Sequence, residues 1–410
     1  MSTPGEITVT GLGVTTAVGR GKADFARALY DGSHRFAVME RPGRQHDTRF
    51  VGAEIPGQVT PGRLTARELR TSSFTARVAL TTLEEAWEEA RLDEVDGERV
   101  GLVVGGSNLG QRELVLAHER HRDRPAFLRP GYGLSFLDSD LCGQCTAAFG
   151  IRGLAHTVGG ASASGQLAII EAAEAVAAGR VDVCVALGAL MDLSYWECLG
   201  LRTMGAMVPD RCADAPELAC RPFDQGHQGF VFGEACAALV IERRGERRGL
   251  EDYGTLSGWS VRLDGNRGPD PSEDGESGAI RGALDRAGLE ADQIDYVNPH
   301  GTASPVGDRT EAAALRACGL TGAAVNATKS VTGHGLSAAG AVEAVATLLQ
   351  MRRGRLHPTR NLRDPVDGGL RWVGDGGLET EVRHAMSLSA GFGGINTALC
   401  VSASGSGSVR

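Results

Sequence analysis

No stretch of the 410-residue sequence approaches the ~18 consecutive apolar residues that a membrane-spanning helix needs. Residues 1–13 lack a basic segment followed by a long apolar core, so no export leader is expected there. Positive charge is not in excess: 42 Lys and Arg stand against 51 Asp and Glu, a net of −9. That balance argues against a general nucleic-acid binder, which needs a basic face to displace counterions. The nine cysteines lack framework spacing and sit mostly in apolar contexts (Cys184, Cys236, Cys400), the pattern of buried reduced thiols rather than of a disulfide scaffold. Cys142 and Cys145 form a lone CxxC with no second pair and no histidine beside it, which favours a structural role over a metal or redox one. A soluble, cytoplasmic protein is expected, with neither nucleic acid nor membrane as partner.

What the sequence does hold is material for a large core: 42% of its side chains are hydrophobic, and its length alone suits two or three domains. The 58 glycines follow no period and fall at the ends of apolar runs, marking tight junctions between elements. Ile7-Thr8-Val9-Thr10 running into Gly11-Leu12-Gly13 predicts a strand and a glycine turn. The next glycine is Gly19, so the dinucleotide-binding spacing fails. Strands are further expected at 100–104, 181–187, 237–241, 296–298 and 398–401, with helices at 163–178, 279–287 and 338–351. Such alternation predicts an α/β fold with helices covering the sheet faces. The basic, polar stretch 242–249 is the best internal junction, and the Ser/Gly-rich end from Ser402 to Arg410 is expected to fray.

Four segments carry chemistry. In Thr157-Val158-Gly159-Gly160-Ala161-Ser162-Ala163-Ser164-Gly165 a short apolar stretch enters a helix whose residues Leu167, Ile170, Ala173 and Ala177 form one buried face. Ser162 therefore falls at a helix start, where free amides and the helix dipole can stabilise an oxyanion, or where a serine simply caps. Asn298-Pro299-His300-Gly301-Thr302-Ala303-Ser304-Pro305 ends an apolar strand and opens into a turn, a common place for site residues in α/β folds. Asn326-Ala327-Thr328-Lys329-Ser330-Val331-Thr332-Gly333-His334-Gly335 precedes a small-residue helix. Two histidines in Gly/Thr/Ser-rich turns, accompanied by a lysine, are harder to explain as packing than one. Ser389-Ala390-Gly391-Phe392-Gly393-Gly394-Ile395-Asn396 sets one aromatic among glycines that let backbone amides approach a ligand or form a tight turn.

Together with Val9-Thr10-Gly11-Leu12-Gly13, and with Arg221-Pro222-Phe223-Asp224 leading into Gly229-Phe230-Val231-Phe232-Gly233-Glu234, these segments resemble the β-ketoacyl-acyl carrier protein synthase family over nearly the whole chain. The resemblance implies a thiolase-like α/β fold of two similar halves packed as a five-layered αβαβα unit, and a homodimer. Residues 1–250 would form the half carrying Ser162, residues 251–402 the half carrying His300, Lys329 and His334, and 403–410 a flexible tail. Position by position, Ser162 stands in the place of the nucleophilic cysteine, His300 and His334 match the paired histidines, Lys329 the supporting lysine and Phe392 the gating aromatic. Thr302 and Ser304 match hydroxyls that contact the pantetheine arm, and Gly391 and Gly393 fall in the substrate-binding turn. Among Arg63, Arg67, Arg70 and Arg77, the resemblance singles out Arg67 and Arg70 for docking an acidic carrier protein.

The one major departure is the missing thiol. A thiol of pKa ~8.5 ionises readily and accepts an acyl chain, whereas a serine hydroxyl is a weak nucleophile unless a base activates it. Chain loading is then slow or absent, while the other half-reaction needs no thiol. The two histidines can donate hydrogen bonds to a malonyl thioester oxygen as carbon dioxide leaves, beside an apolar wall that includes Phe392. The Ser-bearing segment, with Asp192-Leu193-Ser194 and Met204-Gly205-Ala206 downstream, is similar to the decarboxylating ketosynthases of polyketide β-branching cassettes. The expected enzyme is a malonyl-acyl carrier protein decarboxylase with no cofactor of its own, its substrate carried on the phosphopantetheine arm of an acyl carrier protein. Two other readings stay open: acyl transfer through Ser162 with a histidine as base, and a catalytically silent partner subunit.

Overall fold

Unbroken runs of Val, Leu, Ile and Ala become strands buried on both faces, the pattern of a sheet covered by helices on either side. The computed structural model describes residues 6–244 and 250–404. Short strands aside, these are β1 (Ile7–Thr16), β2 (Val100–Gly105), β3 (Ala155–Val158), β4 (Val183–Gly188) and β5 (Ala235–Arg243), then β6 (Gly254–Leu263), β7 (Tyr296–Asn298), β8 (Ala324–Val325), β9 (His384–Gly391) and β10 (Ile395–Ser402). The helices that position the site are α1 (Phe74–Glu89), α2 (Ser139–Phe149), α3 (Ser164–Ala177), α4 (Glu273–Ala287), α5 (Pro305–Ala317) and α6 (Ala339–Arg353). Of the expected junction at 242–249, residues 245–249 lie outside the described residues, as does the expected tail from 405 onward.

Inside the two-residue strand Arg371–Trp372, which pairs parallel with β8 at the sheet's edge, the hydrogen-bonded order is β8-β7-β9-β10-β6-β1-β5-β4-β2-β3. Divided between β6 and β1, both halves read third, second, fourth, fifth, first. Directions match as well. β2 runs parallel to β3 and β4 while β5 is antiparallel to β4 and β1; β7 runs parallel to β8 and β9 while β10 is antiparallel to β9 and β6. The halves join through β1 and β6 at Thr8↔Thr255 and Val9↔Gly254. Helix α1 covers β1 and β5, α3 covers β4 and β2 from the other side, α6 packs on α3 and on β9, and α4 packs on β6 and β10. The result is the five-layered αβαβα arrangement, with α3 and α6 in the middle layer. No helix among the described residues is long and apolar enough to cross a membrane.

Two differences from the sequence expectation have local physical causes. The glycine turn expected at Gly11-Leu12-Gly13 is instead the middle of β1, which continues to Thr16. A Cβ on Gly11 would lie 2.6 Å from the Ala86 carbonyl oxygen, and one on Gly13 2.0 Å from that of Thr82, so these glycines let α1 press onto the strand. The helix expected from 279 begins at Glu273, because Ser272 Oγ accepts from the Gly275 amide at 3.1 Å and caps it.

Glycine also sets the middle layer. A Cβ on Gly165 would fall 2.9 Å from the Ala341 amide, and one on Gly340 2.9 Å from Gln166 Cβ. The amino-terminal ends of α3 and α6 therefore meet at near-backbone distance, which brings one loop from each half together.

Candidate active site

Each of those loops is a single 3-10 turn, Ala161–Ala163 before α3 and Leu336–Ala338 before α6. Both open on a non-glycine residue in the left-handed region, Ala161 at φ 46° and Leu336 at φ 50°. That conformation costs an L-residue roughly 1–2 kcal/mol and bends the chain sharply. Ser162, just after the bend, places its Oγ 2.8 Å from His334 Nε2. It is not a helix cap. Ser164 turns back instead, its Oγ accepting from the Gly160 amide at 2.9 Å and donating to the Ala161 carbonyl at 2.7 Å.

His334 is fixed by its backbone, which donates to the Val231 carbonyl at 2.7 Å and accepts from the Gly233 amide at 3.1 Å. The Phe230 ring meets its imidazole edge-on at 5.1 Å, and the His300 ring does so at 5.4 Å. Its Nδ1 is buried without a hydrogen-bond partner among the described residues. A buried N–H without an acceptor is rarer and costlier than an idle acceptor, so the ring hydrogen belongs on Nε2, where the Ser162 oxygen accepts it.

His300 follows β7, and the amides of His300 and Gly301 donate to the two Glu311 carboxylate oxygens at 2.5 and 2.8 Å. Lys329 Nζ donates to His300 Nδ1 at 3.3 Å, donates to the His300 carbonyl, and pairs with Glu343. An ammonium can only donate, so Nδ1 accepts and the His300 ring hydrogen also sits on Nε2. Burial holds both imidazoles well below the ordinary histidine range, assisted by the Lys329 charge and, for His300, by His334. Glu343 is pushed up to about 7 by burial, against the pull of Lys329. The pair is thus neutral at pH 7, with both Nε2–H groups available as donors.

Ser162, His300 and His334 line a cavity of about 410 Å³, within the range of small-molecule sites. Thr302 and Ser304 line it too. Thr302 Oγ1 accepts from the Ser304 amide at 3.3 Å, and Ser304 Oγ caps α5 by accepting from the Gly307 amide at 3.1 Å, so each hydroxyl keeps its hydrogen for a ligand. Phe392, 42% exposed, stands at the cavity wall in the turn between β9 and β10. Gly391 lines the cavity, and a Cβ there would lie 2.2 Å from the Gly160 carbonyl oxygen. Gly393 does not line it; at φ 91° it makes the turn, and Gly394 lines the cavity in its stead. Met204, Gly205 and Ala206 are wall residues, whereas Asp192 is buried away from the cavity.

Arg67 and Arg70 are exposed, on and just after the short helix Ala66–Leu69, outside this cavity. Arg63 is engaged by Asp93 at 2.8 Å, and Arg77 donates to the Leu69 carbonyl at 2.7 Å. Cys142 and Cys145 are both buried on α2, and among the described residues no group of side chains is arranged to hold a metal. Sequence reasoning missed three residues that matter here: Glu311, which carries the His300 backbone; Glu276, which lines the cavity; and Arg44, buried beneath Asp192 and Glu234. An acid eleven residues after His300 was a faint signal for the first. The other two have no local pattern.

Residues 5–247 match the family model described as beta-ketoacyl synthase, N-terminal domain, and residues 253–363 the corresponding C-terminal domain. Over 398 residues, 97% of this chain and 96% of the relative, the sequence is 59% identical to polyketide biosynthesis malonyl-ACP decarboxylase PksF of Bacillus subtilis strain 168. It is 30% identical over 419 residues, 97% of this chain and 98% of the relative, to 3-oxoacyl-[acyl-carrier-protein] synthase 2 of Coxiella burnetii. Among solved structures, a beta-ketoacyl synthase from Burkholderia phymatum STM815 superimposes with a TM-score of 0.87 at 26% identity, covering 97% of this chain and 99% of that one.

Proposed function

This chain belongs to the β-ketoacyl synthase family, and from that premise we propose that it is a malonyl-acyl carrier protein decarboxylase, releasing acetyl-carrier protein for polyketide β-branching without forming a carbon–carbon bond. The observation that carries this reading is the environment of Ser162. In a serine nucleophile's triad, a carboxylate on the far ring nitrogen stabilises the imidazolium that forms when histidine takes the hydroxyl proton. Here, among the described residues, His334 Nδ1 has no such partner. Burial and the Lys329 charge both penalise an imidazolium, and the His334 hydrogen already points at the serine oxygen. Ser162 is not activated.

The same arrangement suits decarboxylation. A malonyl thioester reaching down the cavity past Thr302 and Ser304 presents its carbonyl oxygen to the Nε2–H groups of His300 and His334. When the bond to the carboxylate breaks, its electron pair moves toward that oxygen, and two preorganised neutral donors stabilise the enolate. Phe392 supplies an apolar wall that favours carbon dioxide over a solvated carboxylate. The substrate arrives on the phosphopantetheine arm of an acyl carrier protein, and the chain's own residues supply the rest.

Intact-mass analysis of malonyl-carrier protein incubated with the enzyme tests this. The carrier should lose carbon dioxide while no acyl mass appears on Ser162, and Ser162→Ala should cost less than about tenfold in rate, or 1.4 kcal/mol. An accumulating acyl-serine together with a dead Ser162→Ala variant would instead establish the transferase. Absence of turnover alongside tight binding to an active synthase would establish a silent partner.

Docking of an acidic carrier on a chain of net charge −9 needs a local basic patch, and the exposed Arg67 and Arg70 supply one. Arg67→Glu with Arg70→Glu should raise KM for malonyl-carrier protein about tenfold with kcat little changed, an effect that shrinks as salt rises. An unchanged KM would remove these residues from the docking site. A homodimer is part of the same reading. β3 is a sheet edge, α2 packs on it, and the segment leading into α2 exposes Phe127, Leu128, Leu134, Phe136 and Leu137. The same reading divides the chain into halves at 1–250 and 251–402, and free thiols at all nine cysteines suit a reducing cytoplasm.

A further inference from the structure

Loss of carbon dioxide leaves an enolate that must gain a proton on carbon, and the two histidines that hold its oxygen are neutral donors rather than acids. We propose that Glu276 is the catalytic acid for this step, its carboxylic O–H protonating the enolate carbon; this rests on the decarboxylase reading.

Glu276 lies in the first turn of α4, and it lines the main cavity together with Ser162, His300 and His334. It also borders a small void that it shares with His300, Glu311 and Asn396. Its Oε2 is buried and has no hydrogen-bond partner among the described residues. The groups facing it are Glu311 and Asp308 of α5, Asp264 just after β6, Glu273 of its own helix, and the His300 imidazole across the void.

Its neighbours are provided for differently. Glu311 accepts from the amides of His300 and Gly301. Asp308 accepts from the amides of Phe223 and Ala303 at 2.6 and 3.0 Å and lies 3.0 Å from His227 Nδ1. Asp264 accepts from the Asn396 amide group at 2.8 Å. Burial raises all four carboxyls, Glu311 to about 7, but N–H donors pull Glu311, Asp308 and Asp264 back toward the charged form, whereas Glu276 Oε2 has none among the described residues, which makes Glu276 the first of the cluster to hold a proton. Burial, then Glu311, Asp264, Asp308 and Glu273, hold it well above the ordinary carboxylate range. A carboxyl kept neutral in an apolar, acid-lined site at pH 7 is equipped to give up a proton.

The step balances. The bond between the malonyl α-carbon and its carboxylate breaks, and carbon dioxide departs without the bonding pair, which forms the enolate. As the thioester carbonyl re-forms, that pair takes the proton of the Glu276 O–H, giving the acetyl methyl group and a Glu276 carboxylate. Solvent entering from the cavity mouth returns the proton.

The test uses the full chain and malonyl-carrier protein. Glu276→Gln should lower kcat about a hundredfold with KM little changed. Because the protonated form is the active one, wild-type kcat falls as pH rises through the elevated pKa of Glu276, and this limb should vanish in the glutamine variant. In an equal mixture of H2O and D2O, the hydrogen-to-deuterium ratio of the new methyl group should change, since that ratio reports the donor even where protonation is not rate-limiting. Glu276→Asp, which keeps the acid and shortens its reach, should lose rate yet retain the basic limb, and it stands in should the glutamine variant fail to fold. A Glu276→Gln enzyme with wild-type kcat, pH profile and isotope ratio would overturn the assignment. If the wild type releases no carbon dioxide, the decarboxylase reading itself falls; if it does and the variant matches it, only the role of Glu276 falls.

Discussion

Alanine at His300 or at His334 lowers carbon dioxide release from malonyl-carrier protein by about 10²–10³-fold in each case, the loss that follows removal of one preorganised donor to a developing oxyanion. In the proposed mechanism each imidazole is fitted to that task by its surroundings. Lys329 occupies His300 Nδ1, so only Nε2 can carry the hydrogen, and the Glu311 carboxylate clamps the backbone on which the ring is mounted. The orphaned Nδ1 of His334 places its hydrogen on Nε2 in the same way. Neutrality matters as well as position: burial beside Lys329 keeps both rings uncharged, so in the proposed mechanism they stabilise the enolate without first needing a proton. Single-turnover release of labelled carbon dioxide checks the prediction, and glutamine at either position, which restores an N–H donor, should recover part of the rate. An alanine variant within tenfold of wild type would mean that its imidazole does not touch the developing charge.

How much of this is legible in the letters depends on how local each device is. Ser162, His300, Lys329 and His334 each lie in a short turn of glycine, serine and threonine at the end of an apolar run, and a turn of that kind is visible within ten residues. The duplication that brings them together is not. Ala161-Ser162-Ala163-Ser164-Gly165 and Leu336-Ser337-Ala338-Ala339-Gly340 fold into the same 3-10 turn and helix start, yet they share only a serine, an alanine and a glycine at corresponding places. The repeat lives in strand order and direction, which many sequences satisfy. Gly11 and Gly13 mislead for the opposite reason: a glycine pair after a strand looks like a turn, and only the approach of α1 makes it the middle of β1. Glu276 and Arg44 leave no trace because a buried ionisable group is defined by partners far along the chain, such as Asp192, 148 residues from Arg44.

That distance makes Arg44 the site of the largest expected loss of stability: Arg44→Ala should cost about 3–5 kcal/mol. The guanidinium is fully buried. Its Nη2 reaches Asp192 at 2.8 Å and Glu234 at 2.6 Å, its Nη1 reaches Glu54 at 2.8 Å, and its Nε donates to the Leu193 carbonyl at 3.2 Å. Asp192 and Glu234 are themselves fully buried, and without Arg44 each keeps one cation, Arg112 at 2.9 Å and Arg41 at 2.6 Å. Two carboxylates out of water with half their compensation are what make truncation expensive, more than the loss of the contacts themselves. Arg44→Lys should rescue little, since one ammonium cannot span three carboxylates and a carbonyl in a planar fork. Denaturant unfolding reads the loss directly, and a change below about 1 kcal/mol, the worth of an exposed pair, would refute the account. Activity should fall with stability, because Glu234 follows directly on Val231, Phe232 and Gly233, the stretch whose backbone holds His334. The ion cluster thus underlies the backbone that holds His334, and the same substitution should loosen both.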